Sequence, residues 1–415
     1  MSSVYQPLKD RERLEILDFL RGFALLGILM VNLPLMNAPF TCEMKNFMIW
    51  TDPINKAFAF VIKFFFTGKF YPLFSMLFGI GFYFFLKKFD EVRKPILPTY
   101  RFRLMWLLLF GILHVVLLWY GDILIVYALM GFVMVWFRKK SNKTLITWAV
   151  CLITLPVVLV GLLVGLFQLA MNYPEVAGQI NQSLETAMAQ LTAFTQKALE
   201  TYPSGTFSEI VSIRLEEYQS MMGSLIIFFP NVLAFFLVGI VLGKKRVFTD
   251  LLARRSFFVK LLLWSLPVAL AGNLLLAITA SDVNYSMLTP GMLYNLAASS
   301  IGGPALTLVY ISSLVLIYQN GFFGKLAGAI GKTGRMALTN YLMQSVICTT
   351  LFFSYGLGLY GKVNLWQGML LVLAVYLVEV IWSHFWLSHF RFGPMEWLWR
   401  TLTYRKAQSM KKIAE

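Results

Sequence analysis

Apolar runs of about 18 residues or more recur along the whole chain and constrain its fold more than any other feature. At helical rise such a run spans about 27 Å, close to the thickness of the hydrocarbon core of a bilayer. Of the 415 residues, 58% are hydrophobic and 13% charged, too few polar side chains to cover a soluble protein of this size. We therefore expect an all-α polytopic membrane protein, a bundle of about ten transmembrane helices. The predicted spans are 16–37, 70–86, 104–119, 122–137, 145–171, 224–243, 257–280, 294–318, 336–355 and 366–389.

The formal net charge of +16 comes from short basic clusters between the apolar runs, most of them on one side of the predicted bundle. By the positive-inside rule that side is cytoplasmic, which predicts a bacterial plasma or inner membrane protein with both termini in the cytoplasm. Because the basic residues follow the topology, a nucleic-acid partner is excluded and the lipid bilayer is the expected partner. A homodimer stays an open alternative.

Three segments lie outside this regular pattern. The long segment 172–223 falls on the outer side, is mostly acidic and contains two stretches of helical spacing, so a solvated cap and a substrate-gating lid both fit it. The short apolar segment 54–67 is expected to be interfacial or re-entrant, and 390–415 to be a cytoplasmic interfacial tail. With no clear internal boundary, 1–415 is treated as a single membrane-embedded domain.

The chain carries three cysteines and three histidines, without a CxxC motif or a Cys/His cluster. We therefore expect no metal site and no tightly bound cofactor. His114 follows the basic pair at Arg101 and Arg103 and is predicted roughly at mid-bilayer, where a histidine is a base, a proton carrier or a satisfied core residue. Asp122 follows the tight turn of a predicted hairpin, where it either caps the next helix or orients His114.

Charged pairs stand near both termini of the chain. Asp18, Arg21 and Asn32 share one face of the first span, which must point to the protein interior. Asp18 and Arg21 can pair at a spacing of three, either as an interfacial salt bridge or as part of an interior site. Near the C-terminus, Glu396 stands four residues before Arg400 on a Trp-rich interfacial helix, where anchoring the helix is the plainer interpretation.

Further polar residues lie in the last two spans. Arg335 stands at the edge of the span 336–355, and Asn340 and Gln344 share one face within it. Two amides on one face are equally suited to helix association and to binding a polar substrate. Glu379 is an isolated carboxylate deep in the final span, which requires a partner or a protonated state.

Five stretches together resemble the YeiB-like family of bacterial polytopic membrane proteins, a domain of unknown function. They are LDFLRGFALLGILMVN at 17–32, GKFYPLFSMLFGIGF at 68–82, LLLFGILHVVLLWYGDILIVYALMG at 107–131, GRMALTNYLMQSVICT at 334–349 and FRFGPMEWLWRTLTY at 390–404. The first stretch is also similar to the opening LDxLRG helix of transmembrane acyltransferases, namely the acyltransferase-3 and heparan-α-glucosaminide N-acetyltransferase types. The latter type also has asparagine at the position of Asn32 and a functional histidine shortly after its first helix. Here 33–54 contains no histidine, which leaves His114 as the candidate.

The resemblance implies transfer of an acyl group from a cytoplasmic acyl-CoA to an extracytoplasmic hydroxyl or amine on a sugar, lipid or small molecule. His114 would be the base or acyl carrier and Asp122 its orienting partner. Basic side chains at the rim would bind the donor phosphates, and amides would stabilise the oxyanion. The rim candidates are Arg21, Lys332, Arg335 and Arg400, and the oxyanion candidates are Asn32, Asn340 and Gln344.

Two other functions fit the same residues. In a proton-coupled transporter or flippase, Glu379, His114 and the Asp18–Arg21 pair would form a proton relay. In a non-catalytic sensor or scaffold, the segment 172–223 would bind partners.

Overall fold

The computed structural model describes residues 14–44, 49–90, 97–279, 288–321 and 324–412. These residues are helical almost throughout, and their one β-bridge joins Phe390 to Lys411. The all-α prediction is therefore confirmed. The helices are α1 (Glu15–Met36), α2 (Phe40–Met44), α3 (Pro53–Val61), α4 (Phe70–Asp90), α5 (Leu97–Leu117), α6 (Leu124–Met134), α7 (Asn142–Ala170), α8 (Pro174–Ser204), α9 (Phe207–Lys244), α10 (Arg255–Thr279), α11 (Pro290–Gln319), α12 (Gly324–Arg335), α13 (Ala337–Phe352), α14 (Leu365–His389) and α15 (Pro394–Tyr404).

Seven helical stretches in the described part of the chain are long and apolar enough to cross a membrane, and a bent pair within α9 would make eight. The chain is therefore a multi-pass membrane protein. The seven are Glu15–Met36, Pro53–Lys87, Leu97–Leu117, Asn142–Ala170, Arg255–Thr279, Pro290–Gln319 and Leu365–His389.

Helices occupy all ten predicted positions. Three of these helices do not qualify by themselves as membrane spans, which leaves seven. The span predicted at 224–243 is the second half of α9, which runs on from a polar first half. The span at 122–137 is the 11-residue α6 followed by one 3-10 turn, and that at 336–355 is the 16-residue α13, rich in hydroxyl and amide side chains. Both are short of the length that crosses a bilayer. The segment 54–67, predicted to be interfacial or re-entrant, joins the next span in the stretch Pro53–Lys87.

The helices differ sharply in how much surface they bury. In an apolar stretch of 18 residues taken from each helix, 67% of the stretch is buried inside the protein in α1 but only 17% in α7. The outer faces of α7, α10 and α14 carry exposed large apolar residues such as Leu162, Trp264 and Ile381. Exposed apolar belts of this extent suit contact with lipid, whereas α1 lies in the interior of the bundle.

Close backbone approach holds α1 against α12. A Cβ atom on Gly22 would lie 2.1 Å from the Ile330 carbonyl oxygen, and one on Gly334 would lie 1.9 Å from that of Asp18. Larger residues at either position would push the helices apart. This contact brings the end of α12, and with it Arg335, next to the beginning of α1.

One face of α13 packs against other helices and collects buried polar residues. It contacts α1, α12, α14 and α15. Its buried residues are Thr339, Asn340, Tyr341, Gln344, Ser345, Cys348, Thr349 and Phe352. Since lipid would not accept these groups, their burial explains why a helix of such low hydropathy lies within an apolar bundle.

The segment 172–223 forms α8 and the first half of α9, in agreement with the predicted helical spacing. A capping box between Thr206 and Glu209 starts α9. The segment packs over one end of the bundle: Arg214 donates to the Val116 carbonyl oxygen at 2.6 Å, and the Tyr202 carbonyl accepts from the Ser354 N–H at 2.8 Å. We call α8 and residues 207–223 of α9 the cap.

Candidate functional site

His114 lies in the last turn of α5, beside the hairpin that leads to α6. It is 1% exposed. The sequence placed it roughly at mid-bilayer by counting from Arg103. The helix, however, begins at Leu97, about 25 Å before His114 at helical rise, so the histidine lies near the end that carries the cap.

A glycine allows the hairpin to fold back onto this histidine. A Cβ atom at Gly111, one turn before His114, would lie 2.7 Å from the Ile125 N atom and 2.8 Å from Asp122 Oδ1. Any side chain at this position would displace the start of α6. The resulting close approach brings Asp122 to the face of α5 that carries His114.

Asp122 caps α6 and also lies beside His114, so both positions that the sequence left open are occupied. Its Oδ1 atom accepts a hydrogen bond from the Ile125 N–H at 2.7 Å, which caps the first turn of α6. Its Oδ2 atom lies 3.0 Å from His114 Nδ1, and both side chains are fully buried. The two atoms are at ion-pair distance, although the N–H is not aligned for a straight hydrogen bond.

The other ring nitrogen of His114 meets a residue that sequence reasoning missed. The Nε2 atom lies 2.8 Å from the Ser345 hydroxyl of α13, across 231 positions in the chain. One turn earlier, Tyr341 packs its ring against His114, with 5.2 Å between the ring centroids. With the proton on Nδ1, toward the carboxylate of Asp122, Nε2 is left to accept from Ser345.

Ser345 had a weak signal in the sequence. It follows Gln344 and stands five residues after Asn340, so it belongs to the same polar run as these two amides. Serine is common in transmembrane helices, where its hydroxyl usually bonds to its own backbone, and this made it inconspicuous.

The amide candidates of α13 are held by α14. Gln344 Nε2 donates to Glu379 Oε2 at 2.9 Å and to the Leu25 carbonyl of α1 at 3.4 Å. Asn340 Nδ2 donates to the Ser383 hydroxyl at 2.9 Å and to a carbonyl of α12 at 3.0 Å. Both donors are therefore engaged within the protein. Each pair still holds one buried oxygen with no hydrogen-bond partner in the described residues, Asn340 Oδ1 and Glu379 Oε1.

The charged candidates gather at the other end of the bundle. Arg21 donates to Asp18 Oδ1 at 2.7 Å, with 26% and 4% of the two side chains exposed. Arg335 donates to the Arg391 carbonyl at 3.4 Å, and the Arg400 guanidinium lies 4.6 Å from the centre of the Phe392 ring. Arg335 and Arg400 thus meet at the segment 390–393. We call Arg21, Arg335 and Arg400 the arginine rim.

Glu396 caps α13 from another helix. Its Oε1 atom accepts from the N–H groups of Leu338 and Thr339 at 2.6 and 3.1 Å, and Oε2 accepts from the Thr339 hydroxyl at 2.6 Å. Burial raises the pKa of Glu396, while these hydrogen bonds lower it. The carboxylate therefore fixes the start of α13, a role that its spacing from Arg400 did not predict.

Two candidates stand apart from these groups. Asn32 is partly buried near the end of α1, and none of the hydrogen bonds of the described residues joins it to His114 or to the amides. Lys332 lies 3.2 Å from His384 Nδ1, on the exposed side of α12. As for metals, no group of three His, Cys, Asp or Glu side chains converges in the part of the chain that the structure describes.

Comparison with known proteins agrees with the family resemblance of the five stretches. Residues 242–406 match the model of a protein of unknown function, DUF418. The uncharacterized protein YxaH of Bacillus subtilis (strain 168) is 36% identical, over 99% of this chain and 99% of its own. The uncharacterized protein YeiB of Escherichia coli (strain K12) is 29% identical, over 95% of this chain and 97% of its own. No solved structure matches the chain. Because the similarity to these two relatives runs over nearly the full length, the chain belongs to the YeiB-like, DUF418-containing family of proteins of unknown function.

Proposed function

We propose that this protein is a transmembrane acyltransferase. It would transfer an acyl group from an acyl-CoA, bound at the arginine rim, to a hydroxyl or amine acceptor that enters at the cap end. The observation that carries the proposal is the buried line Asp122–His114–Ser345, with contacts of 3.0 and 2.8 Å. A carboxylate that holds one nitrogen of an imidazole leaves the other nitrogen free to act as a general base.

Burial adds to the effect of this arrangement. The side chains of His114 and Asp122 are fully buried, so water does not screen the carboxylate from the imidazole. An imidazolium that forms during the reaction would be stabilised by a carboxylate 3.0 Å away. General base catalysis of this kind contributes about 10²- to 10⁴-fold in rate.

The polar positions of α13 join the two ends of the bundle. The helix begins at the Glu396 cap beside the arginine rim, and Asn340, Gln344 and Ser345 follow on its buried face. From Ala337 to Ser345 the rise is about 12 Å. A donor with its phosphates on the rim would lay its pantetheine arm along this face, and the thioester at the end of that arm would reach His114.

Calorimetry on the purified protein in lipid nanodiscs tests the donor site with acetyl-CoA and palmitoyl-CoA as probes. We expect Arg400→Ala to weaken binding about tenfold or more, since an arginine–phosphate contact is lost. His114→Gln should bind with an affinity within about threefold of the wild type, because the histidine acts on the reacting atoms rather than on the phosphates. His389→Ala, which changes an exposed histidine of α14, is the matched control. Absence of binding by either acyl-CoA would overturn a coenzyme A-dependent function.

A second candidate function, proton-coupled transport, is favoured by Glu379. This carboxylate is 2% exposed, bonds Gln344 with one oxygen and has the other buried without a hydrogen-bond partner in the described residues. Gln344 is next in sequence to Ser345, so Glu379 and His114 approach α13 at adjacent positions. Proton uptake into proteoliposomes that is lost in Glu379→Gln but kept in Ser345→Ala would support transport over acyl transfer.

A further inference from the structure

We infer that Ser345 carries the acyl group as a covalent ester between donor and acceptor, so that the reaction runs in two halves. The inference rests on the proposed function. The hydroxyl of Ser345 meets His114 Nε2 at 2.8 Å, and Asp122 meets Nδ1 of the same ring at 3.0 Å. This is the order of groups found in the serine–histidine–aspartate triads of acyl-transfer enzymes, which are recognised by geometry rather than by sequence position.

The hydrogen bond of Ser345 differs from that of several other hydroxyls on the helices of this bundle. Ser265, Ser312 and Thr350 each donate to the carbonyl four residues earlier in their own helix, at 2.7, 2.6 and 2.7 Å. Such a bond is the usual state of serine and threonine in a membrane helix. In the part of the chain that the structure describes, the Ser345 hydroxyl bonds His114 instead, which leaves its oxygen lone pairs free of the helix backbone.

The surroundings hold this geometry firmly. The Tyr341 ring packs on the imidazole from the same helix, one turn before Ser345. The Glu396 cap fixes the start of α13, and the bond from Gln344 to Glu379 ties the middle of the helix to α14. A nucleophile needs this kind of rigid placement, because a shift of about 1 Å can cost 10²-fold in rate.

The first half-reaction forms the ester. The Ser345 oxygen attacks the thioester carbonyl while His114 Nε2 takes the hydroxyl proton, which gives a tetrahedral intermediate. The carbon–sulfur bond then breaks, and His114 passes the proton to the departing CoA thiolate. In the second half, the acceptor hydroxyl or amine attacks the ester, His114 takes its proton, and the proton returns to the Ser345 oxygen as the ester bond breaks.

A stored ester resolves the problem of two substrates that reach one closed bundle from opposite ends. The donor rim and the cap lie at opposite ends of α13, and Ser345 stands near its middle. If Ser345 holds the acyl group, CoA can leave before the acceptor enters beneath the cap. The two substrates then never have to occupy the bundle together.

The test is mass spectrometry of the intact, full-length protein after incubation with acetyl-CoA, followed by peptide mapping. We expect a gain of one acetyl group on Ser345 that alkaline hydroxylamine removes, and a burst of CoA release equal to the amount of enzyme. Ser345→Ala should lose the adduct and slow CoA release about 100-fold or more. Thr350→Ala, on the exposed face of the same helix, should behave as the wild type.

The outcomes separate this inference from the proposed function. If neither acyl-CoA binds the wild type in the calorimetry, the proposed function fails and the inference with it. If an acyl-CoA binds but Ser345 gains no acyl group, or if Ser345→Ala releases CoA within about threefold of the wild-type rate, only the inference is overturned, and His114 acts directly on the acceptor. Should Ser345→Ala fail to fold, Ser345→Cys keeps a nucleophile of similar size and is expected to trap the acyl group as a thioester, which neutral hydroxylamine removes.

Discussion

Replacement of Asp122 separates its two roles, because each carboxylate oxygen has its own partner. Oδ1 accepts from the Ile125 N–H at 2.7 Å, and Oδ2 faces His114 Nδ1 at 3.0 Å. In Asp122→Asn the carbonyl oxygen of the amide can keep the cap, while the NH₂ group replaces the oxygen that faces the imidazole. Asp122→Ala removes both contacts.

The expected magnitudes follow from these contacts. In Asp122→Asn the imidazole is driven to the tautomer with its proton on Nε2, which can no longer accept from Ser345. We expect kcat to fall about 10²- to 10⁴-fold, equivalent to roughly 3–5 kcal/mol of activation free energy. Because the cap persists, the free energy of unfolding should change by less than about 1 kcal/mol. Asp122→Ala should lose the same activity and, in addition, about 1–3 kcal/mol of stability.

Two measurements on each variant check this reasoning. One is CoA release from acetyl-CoA, and the other is thermal unfolding in the same nanodiscs. Asp122→Asn should lose CoA release but keep its unfolding temperature, whereas Asp122→Ala should lose both. An Asp122→Asn variant with wild-type kcat would refute the orienting role of Asp122 and leave it only as a cap.

Three further predictions concern the elements that hold the site. Gly111→Ala should lower the melting temperature and the activity together, since its Cβ would lie 2.7–2.8 Å from atoms of the hairpin. Gly165→Ala on α7, with nothing within 4 Å of the added Cβ, should leave both unchanged, and equal melting temperatures of the two variants would contradict the close packing at Gly111. Glu396→Ala should destabilise the protein by about 1–3 kcal/mol because two N–H groups and the Thr339 hydroxyl lose their acceptor. Glu396→Gln should lose less stability, and identical unfolding of the two variants would contradict the capping role. Arg214→Gln should loosen the cap by removing the 2.6 Å hydrogen bond to a carbonyl at the end of α5. Limited proteolysis between α8 and α9 should then be faster, and an unchanged cleavage rate would contradict the role of this arginine as an anchor.

Local rules are enough to predict most of the helices and one half of the site. Apolar runs place the helices because lipid requires each of them to satisfy its own backbone. The short hairpin makes an approach of Asp122 to His114 one of the two roles that the sequence offers, beside a cap of the next helix. Helical spacing likewise predicts that Asn340 and Gln344 point the same way.

The other half of the site depends on packing between distant segments. Ser345 meets His114 across 231 positions, and Glu396 caps the start of α13 across 57 and 58 positions. Neither pairing leaves a local pattern, because periodicity reports which face of a helix is polar but not which helix lies against it. The burial of the polar face of α13 has the same origin, since it depends on the helices that pack against that face.

The measurement that tests the central claim most directly is CoA release from acetyl-CoA and palmitoyl-CoA by the protein in nanodiscs, with wild type, His114→Gln and His389→Ala side by side. The account predicts release by the wild type and by His389→Ala, and a rate about 10²- to 10⁴-fold lower in His114→Gln at unchanged donor affinity. Equal rates in wild type and His114→Gln, or no release by the wild type from either donor, would contradict it.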